Sequence, residues 1–195
     1  MHYMLIETEP TPNPSTLKFL PGRAVMDQGT RDFPTPEDAG PSPLASALFS
    51  LGDVERVFFG GDFISVTKAP GSAEWHSLKP DILGILADHF ASGAPLFSGG
   101  SAADIHIGDD DAGFEDDPAD ADIVAQVREL IDTRVRPAVA RDGGDIIYRG
   151  FQRGIVYLQM QGACSGCPSS LATLKQGIEQ LIRHYVPEVT EVRAV

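Results

Sequence analysis

Cysteine is scarce in this 195-residue chain, which contains only Cys164 and Cys167. Two cysteines are too few for a disulfide framework, and a pair three residues apart in a chain without a secretory signature reads as metal or redox chemistry in a reducing compartment. Long apolar runs are missing as well. No stretch approaches the ~20 consecutive apolar residues that a membrane span requires. The opening MHYMLIETEP carries neither a basic leader nor a long apolar segment, so neither membrane insertion nor signal-directed secretion is expected. Basic residues are absent from positions 81 to 127, where 11 acidic ones fall. Residues 1–80 carry 6 basic against 10 acidic side chains, and residues 128–195 carry 9 against 7. A net charge of −13 repels phosphate backbones, and the small positive excess of the last third is too scattered for a nucleic-acid footprint. No nucleic-acid partner is expected.

Glycine and proline, by contrast, are plentiful: 20 and 15 residues, enough to indicate long connectors between small folded units. The length admits one large domain or two small ones, and this composition favours two. The segment Ser98 to Asp122, SGGSAADIHIGDDDAGFEDDPADAD, is rich in Gly, Ala and Asp, with isolated apolar residues only. It cannot bury enough apolar surface to offset its ordering entropy, so a solvated, self-repelling linker is expected. No Gly-Asp spacing in it matches an EF-hand loop. The expected organisation is an N-terminal domain over 1–97, an acidic flexible linker over 98–119 and a C-terminal domain over 120–195.

In the first domain, Tyr3 to Thr8 reads as a strand stopped by Pro10-Thr11-Pro12-Asn13-Pro14. Two β-rich segments within Val54 to Lys68 flank the hairpin signal Gly60-Gly61-Asp62. Pro43 to Leu51 and Asp81 to Phe90 read as short amphipathic helices, giving a small α+β unit. His76 and His89 are a loop and a core-edge histidine, since neither has a partner at metal-binding spacing. In the last domain, Asp120 or Asp122 is placed to cap a helix whose apolar positions are Ile123, Val124, Val127, Leu130, Ile131 and Val135, with Pro137 and the turn Asp142-Gly143-Gly144-Asp145 ending it. Strands follow at Ile146 to Arg149 and Ile155 to Gln161, then a helix with Leu171, Leu174, Ile178, Leu181 and Ile182 on one face. Val189 to Val195 alternates as a last strand. The fold class is α+β, and this domain has the order α-β-β-α-β, two helices covering a three-stranded sheet.

Gly162-Ala163-Cys164-Ser165-Gly166-Cys167-Pro168 joins the second of those strands to the helix. Pro168 suits the first helical turn and makes Cys167 the approximate N-cap, so both thiols are expected at a surface turn beside the positive end of a helix dipole. A thiol pKa lowered in this way serves disulfide exchange and soft-metal ligation equally. A thioredoxin-like site belongs in an N-terminal βαβ unit of a larger sheet, which this element order lacks. A structural zinc site wants four ligands, and the domain adds only His184, at the far end of a helix. Two chains meeting at this turn supply the four thiolates of a 4Fe-4S cluster. No nucleophile triad, phosphate loop or catalytic base accompanies the pair, so a conventional enzyme is not expected; Asp142 and Asp145 are read as turn formers.

The residues Arg136-Pro137, Asp142-Gly143-Gly144-Asp145, Val156, Leu158, Met160, Gly162-Ala163-Cys164, Gly166-Cys167-Pro168-Ser169-Ser170, Thr173-Leu174-Lys175 and Gly177-Ile178-Glu179 together closely resemble the C-terminal domain of NifU and the Nfu iron-sulfur proteins. Thr11-Pro12-Asn13-Pro14 with Leu17-Lys18-Phe19 and Pro21-Gly22 resembles the separate N-terminal domain of the alphaproteobacterial and mitochondrial Nfu form. The resemblance implies a 4Fe-4S cluster bridging two subunits, a homodimer on cluster binding, through residues matching Cys164 and Cys167. It also implies an upstream cluster-assembly scaffold as donor and apo iron-sulfur proteins as recipients. The alternative is a small thiol-disulfide oxidoreductase using the same pair. The compartment expected is a bacterial cytoplasm, in the absence of an Arg-rich, Ser-rich presequence, or a mitochondrial matrix for a eukaryotic source.

Overall fold

The protein is described by a computed structural model covering residues 5–99, 114, 116–165 and 168–195, without the side chains of 168–170. The chain divides into two compact units, Met1–Ile107 and Gly108–Val195.

The first unit is a five-stranded antiparallel sheet of β1 (Glu7–Pro10), β2 (Thr16–Leu20), β3 (Arg31–Phe33), β4 (Val54–Phe59) and β5 (Ile64–Lys68), in the order β1-β2-β5-β4-β3. The expected hairpin is β4–β5, paired from Val54↔Lys68 to Phe59↔Ile64. Alternation puts Phe19, Val57, Phe59, Ile64 and Val66 into one core with Leu44 and Leu48 of α1 (Pro43–Phe49) and Leu78, Ile82 and Leu86 of α2 (Trp75–Ser92). Two expectations change here. The first strand runs Glu7–Pro10, without Leu5 and Ile6, while Tyr3 and Met4 lie outside the described residues; the Pro-rich segment is the turn into β2, in which Thr11 Oγ1 donates to the Asn13 and Thr16 carbonyls and Ser15 N donates to Asn13 Oδ1. The second helix starts at Trp75 rather than Asp81. Pro80 lies inside it and removes a backbone hydrogen bond, a cost of about 3 kcal/mol. The burial of Leu78, worth roughly 1.5–3 kcal/mol, and the Trp75 Nε1 bond to the Pro14 carbonyl at 3.1 Å hold the first turn in place.

The second unit begins with one continuous helical run: α3 (Ala121–Leu130), a π-turn over Ile131–Val135, and α4 (Arg136–Arg141). Pro137 does not end it. The N–H of Arg136 bonds back five residues to the Ile131 carbonyl, so the backbone widens just before the proline ring and accommodates it. Val127, Ile131, Val135 and Val139 keep the apolar stripe intact across the widening. Asp120 stands at the N-cap of the run as expected, but its side chain makes no cap bond; Asp117 Oδ1 accepts from Ala119 N at 2.9 Å in a 3-10 turn, Pro118–Asp120. Strand β6 (Gly144–Gln152) pairs antiparallel with β7 (Ile155–Gly162), and β8 (Glu191–Ala194) pairs parallel with β7 after α5 (Pro168–Tyr185) crosses over. Ile178 and Ile182 of α5 close the core over Val156, Leu158 and Val192. The order is the expected α-β-β-α-β, with strand order β6-β7-β8.

Of the segment expected as a solvated linker, residues 100–113 and 115 lie outside the described ones, and the described residues at its ends make contacts of their own. Ser98 N donates to the Pro41 carbonyl. Phe114 stacks on Tyr157, centroids 4.0 Å apart, in space that only a glycine leaves at Gly150, where an added Cβ would stand 2.5 Å from the Phe114 Cβ. Asp116 accepts from Tyr148 Oη at 2.7 Å and from Phe151 N at 2.8 Å. Phe114 and Asp116 therefore belong to the second unit. A fragment starting at residue 118 is expected to be about 2–4 kcal/mol less stable than one starting at residue 113, from the lost stacking and two charge-assisted bonds. Chemical denaturation of the two fragments measures the difference.

Candidate functional site

Cys164 lies in the connection between β7, which ends at Gly162, and α5, which begins at Pro168. The connection is tied down locally. Ser165 N and Oγ both donate to the Gly162 carbonyl, at 3.1 and 2.8 Å, and Ala163 N donates to the Gly143 carbonyl at 3.1 Å. That last bond joins the cysteine turn to the Gly143-Gly144 turn, which the register Gly144↔Gly162 also places alongside it. Gly144 is required by contact: a Cβ there would stand 2.7 Å from Cys164 Sγ and would press still harder on the Gln161 carbonyl.

Cys164 is not at a surface. The residue is 5% exposed and belongs to the core of the unit. The expected lowering of the thiol pKa is therefore corrected at this residue: burial first, then the negative charges of Asp142 and Asp145, pushes it up to about 12. The physical reason is that the turn folds Sγ inward onto the Gly144 backbone, so desolvation outweighs any helix-terminus field. Cys167 lies outside the described residues.

The sign of the pH dependence follows. Since the folded-state pKa exceeds the unfolded value of about 8.5, the unfolded chain loses this proton first, so the contribution is complete below pH ~8.5 and is lost as pH rises toward 12. Alkylation of Cys164 by iodoacetamide at pH 8 is expected to be at least a hundredfold slower in the folded metal-free protein than in denaturant. Peptide mass spectrometry after timed quenching reads this out residue by residue.

Asp145 was expected to be a turn former; instead it lies in β6, 3% exposed. Arg136 grips it with both ends of the guanidinium, Nε to Oδ1 at 2.9 Å and Nη2 to Oδ2 at 2.7 Å, while Asp145 Oδ1 also accepts from Ile146 N at 2.7 Å. Arg136 Nη1 reaches Asp132 Oδ1 at 3.3 Å. The bond to Asp145 is the largest cause of the raised Arg136 pKa. Asp142 does act at a turn, as the C-cap of α4. Sequence reasoning missed the pair; its signal was an Asp opening an apolar strand with an Arg nine residues upstream.

Each described histidine is placed within its own unit. His184 is exposed at the end of α5, edge-on to Tyr185, which an 18-residue helix puts roughly 25 Å from its start. His89 is half-buried against Phe90, its pKa lowered by burial, and His76 is exposed. Among the described residues no three His, Cys, Asp or Glu side chains are grouped to hold a metal ion, and no helix is long and apolar enough to cross a membrane. Each chain thus offers soft donors from one cysteine pair and no competing cluster of hard ones among those residues.

Comparison with known proteins gives two family matches, "Scaffold protein Nfu/NifU N terminal" over residues 6–93 and "NifU-like domain" over residues 127–193. The human protein named NFU1 iron-sulfur cluster scaffold homolog, mitochondrial, is 49% identical over 195 residues, all of this chain and 73% of that one. NifU-like protein 5, mitochondrial, of Arabidopsis thaliana is 51% identical over 191 residues, covering 97% of this chain and 67% of its own. The solution structure of a NifU-like protein from Saccharomyces cerevisiae superposes with a TM-score of 0.46 at 26% identity, over 51% of this chain and 89% of that one.

Proposed function

This chain belongs to the Nfu family of iron-sulfur cluster scaffold proteins, and from that premise we propose that it carries a 4Fe-4S cluster between two copies of itself and passes it to apo-proteins. Cys164 and Cys167 of each copy are the ligands in this reading. The observation that carries it is the ligand count: the chain has two cysteines, a 4Fe-4S cluster takes four thiolates, and among the described residues no three His, Cys, Asp or Glu side chains are grouped to hold a metal ion. The cluster is cargo. It arrives from an upstream assembly scaffold and leaves by ligand exchange, in which the Fe–S bonds to this protein's thiolates break as bonds to the recipient's thiolates form. The recipient's thiols give up protons, the released cysteines take them up, and no electron changes hands.

Burial of Cys164 bears on the direction of transfer. Ligation requires Cys164 Sγ to leave the core, and once the cluster has left, the thiol reprotonates and returns to it. The folded metal-free state thereby competes with the cluster for Cys164, which favours release over storage. Disulfide exchange, the alternative reading, is not supported: a buried, protonated thiol is a poor attacking group, and the relatives are named as scaffolds. Those relatives are also named as mitochondrial, in accord with the eukaryotic half of the compartment expectation.

The test of the carrier role is transfer itself. Loaded protein mixed anaerobically with an apo-enzyme that needs a 4Fe-4S cluster is expected to activate it within minutes, faster than free iron and sulfide in the presence of a chelator. Retention of the cluster for hours with no recipient activity would argue for storage or for a resident cofactor.

A further inference from the structure

The Arg136–Asp145 pair lies directly beside the platform of the cysteine turn. Asp145 sits on the strand residue directly after Gly144, the glycine on which Cys164 Sγ rests, and it pairs across the ladder with Gln161, whose carbonyl is the other wall of that contact. Both oxygens of Asp145 are engaged by one planar guanidinium, which fixes its orientation as a single hydrogen bond does not. The guanidinium is in turn aimed by the backbone: Arg136 is the residue whose N–H closes the π-turn, and one residue more or less in that turn would rotate its side chain away from β6 by about 100°. Asp132, one helical turn back, braces its outer edge. A widened helix, an arginine and a buried carboxylate thus converge on the two-residue platform beneath the cysteine turn.

We propose that Arg136 and Asp145 are positioning residues for Cys164, fixing the two-residue platform on which its thiol rests and so the geometry with which it holds the cluster. This rests on the carrier reading above. Neither residue is proposed to touch the cluster. Arg136→Lys keeps the charge but not the two-pronged grip, so it separates orientation from charge.

The test uses the full chain, reconstituted anaerobically, and follows iron release to a colorimetric ferrous chelator together with the visible circular dichroism of the bound cluster. Arg136→Lys and Arg136→Gln are expected to release iron roughly tenfold or more faster than the parent and to alter the dichroism, while metal-free Arg136→Lys keeps the parent's near-ultraviolet spectrum. The double change Arg136→Lys with Asp145→Asn is expected to release no faster than Asp145→Asn alone, since both act through one contact. If Asp145→Asn does not fold, the two Arg136 variants decide by themselves. Release rates and dichroism equal to the parent's in folded Arg136→Lys and Arg136→Gln, or rates that multiply in the double variant, would overturn the positioning role. Failure of the parent chain to load would instead overturn the carrier reading.

Discussion

A Cys164→Ala chain is expected to fold and yet to hold no stable cluster, with a complete loss of the colour that reconstitution gives the parent. The substitution removes a small, soft side chain from the core of the second unit, a change that costs on the order of 1–2 kcal/mol and leaves the sheet and helices in place. Against that modest structural effect stands the loss of half of the chain's thiols. A cluster bridged by four thiolates cannot be completed when one residue is removed from each of two copies. Cys167→Ala is expected to do the same. Iron and sulfide content per chain after gel filtration, measured beside thermal unfolding of the same metal-free sample, separates ligand loss from misfolding. A Cys164→Ala chain that kept half or more of the parent's iron would show that another group ligates in its place.

Gly144→Ala is expected to be nearly as damaging to loading, although it adds a single methyl group. That methyl would stand 2.7 Å from Cys164 Sγ and against the Gln161 carbonyl, with backbone on one side and the buried thiol on the other. Overpacking of this kind costs roughly 1–3 kcal/mol. Since the strand pairing Gly144↔Gly162 resists displacement of the backbone, the softer neighbour, the cysteine turn, gives way. The metal-free protein is therefore expected to unfold at lower denaturant concentration and its Cys164 to alkylate faster than the parent's. Gly177→Ala is the contrasting substitution: Gly177 lies exposed within α5 with nothing within 4 Å of an added Cβ, so stability is expected to rise by up to ~1 kcal/mol.

The second unit was legible in the sequence because its signals are local and mutually consistent. Ile178 and Ile182 face one way on a helix, Val156, Leu158 and Met160 alternate on a strand, and the cysteine turn lies between them. Pro137 misled because a proline is read as a stop, whereas the π-turn that accommodates it depends on packing Val135 and Val139 against the same sheet. The first unit was harder: β2 and β3 are short, and β2 pairs with β5 across some 45 residues of intervening sequence, a contact no local pattern encodes. At the candidate site, spacing singles out the two cysteines as the proposed ligands, but not the burial of Cys164. Whether a thiol on a Gly-rich turn points outward or inward depends on the neighbouring Gly143-Gly144 turn, and that neighbour is set by strand pairing. For the same reason Asp145 passed for a turn residue until the strand and Arg136 were seen together.

Native mass spectrometry of the anaerobically reconstituted full chain, with Mössbauer spectroscopy of the same sample, tests the central claim most directly. The account predicts a dimer of chains carrying one 4Fe-4S cluster, reverting to monomer when a chelator strips the iron, with neither dimer nor cluster in Cys164→Ala. A stable cluster on a single chain, or an undiminished loaded dimer in Cys164→Ala, would contradict it.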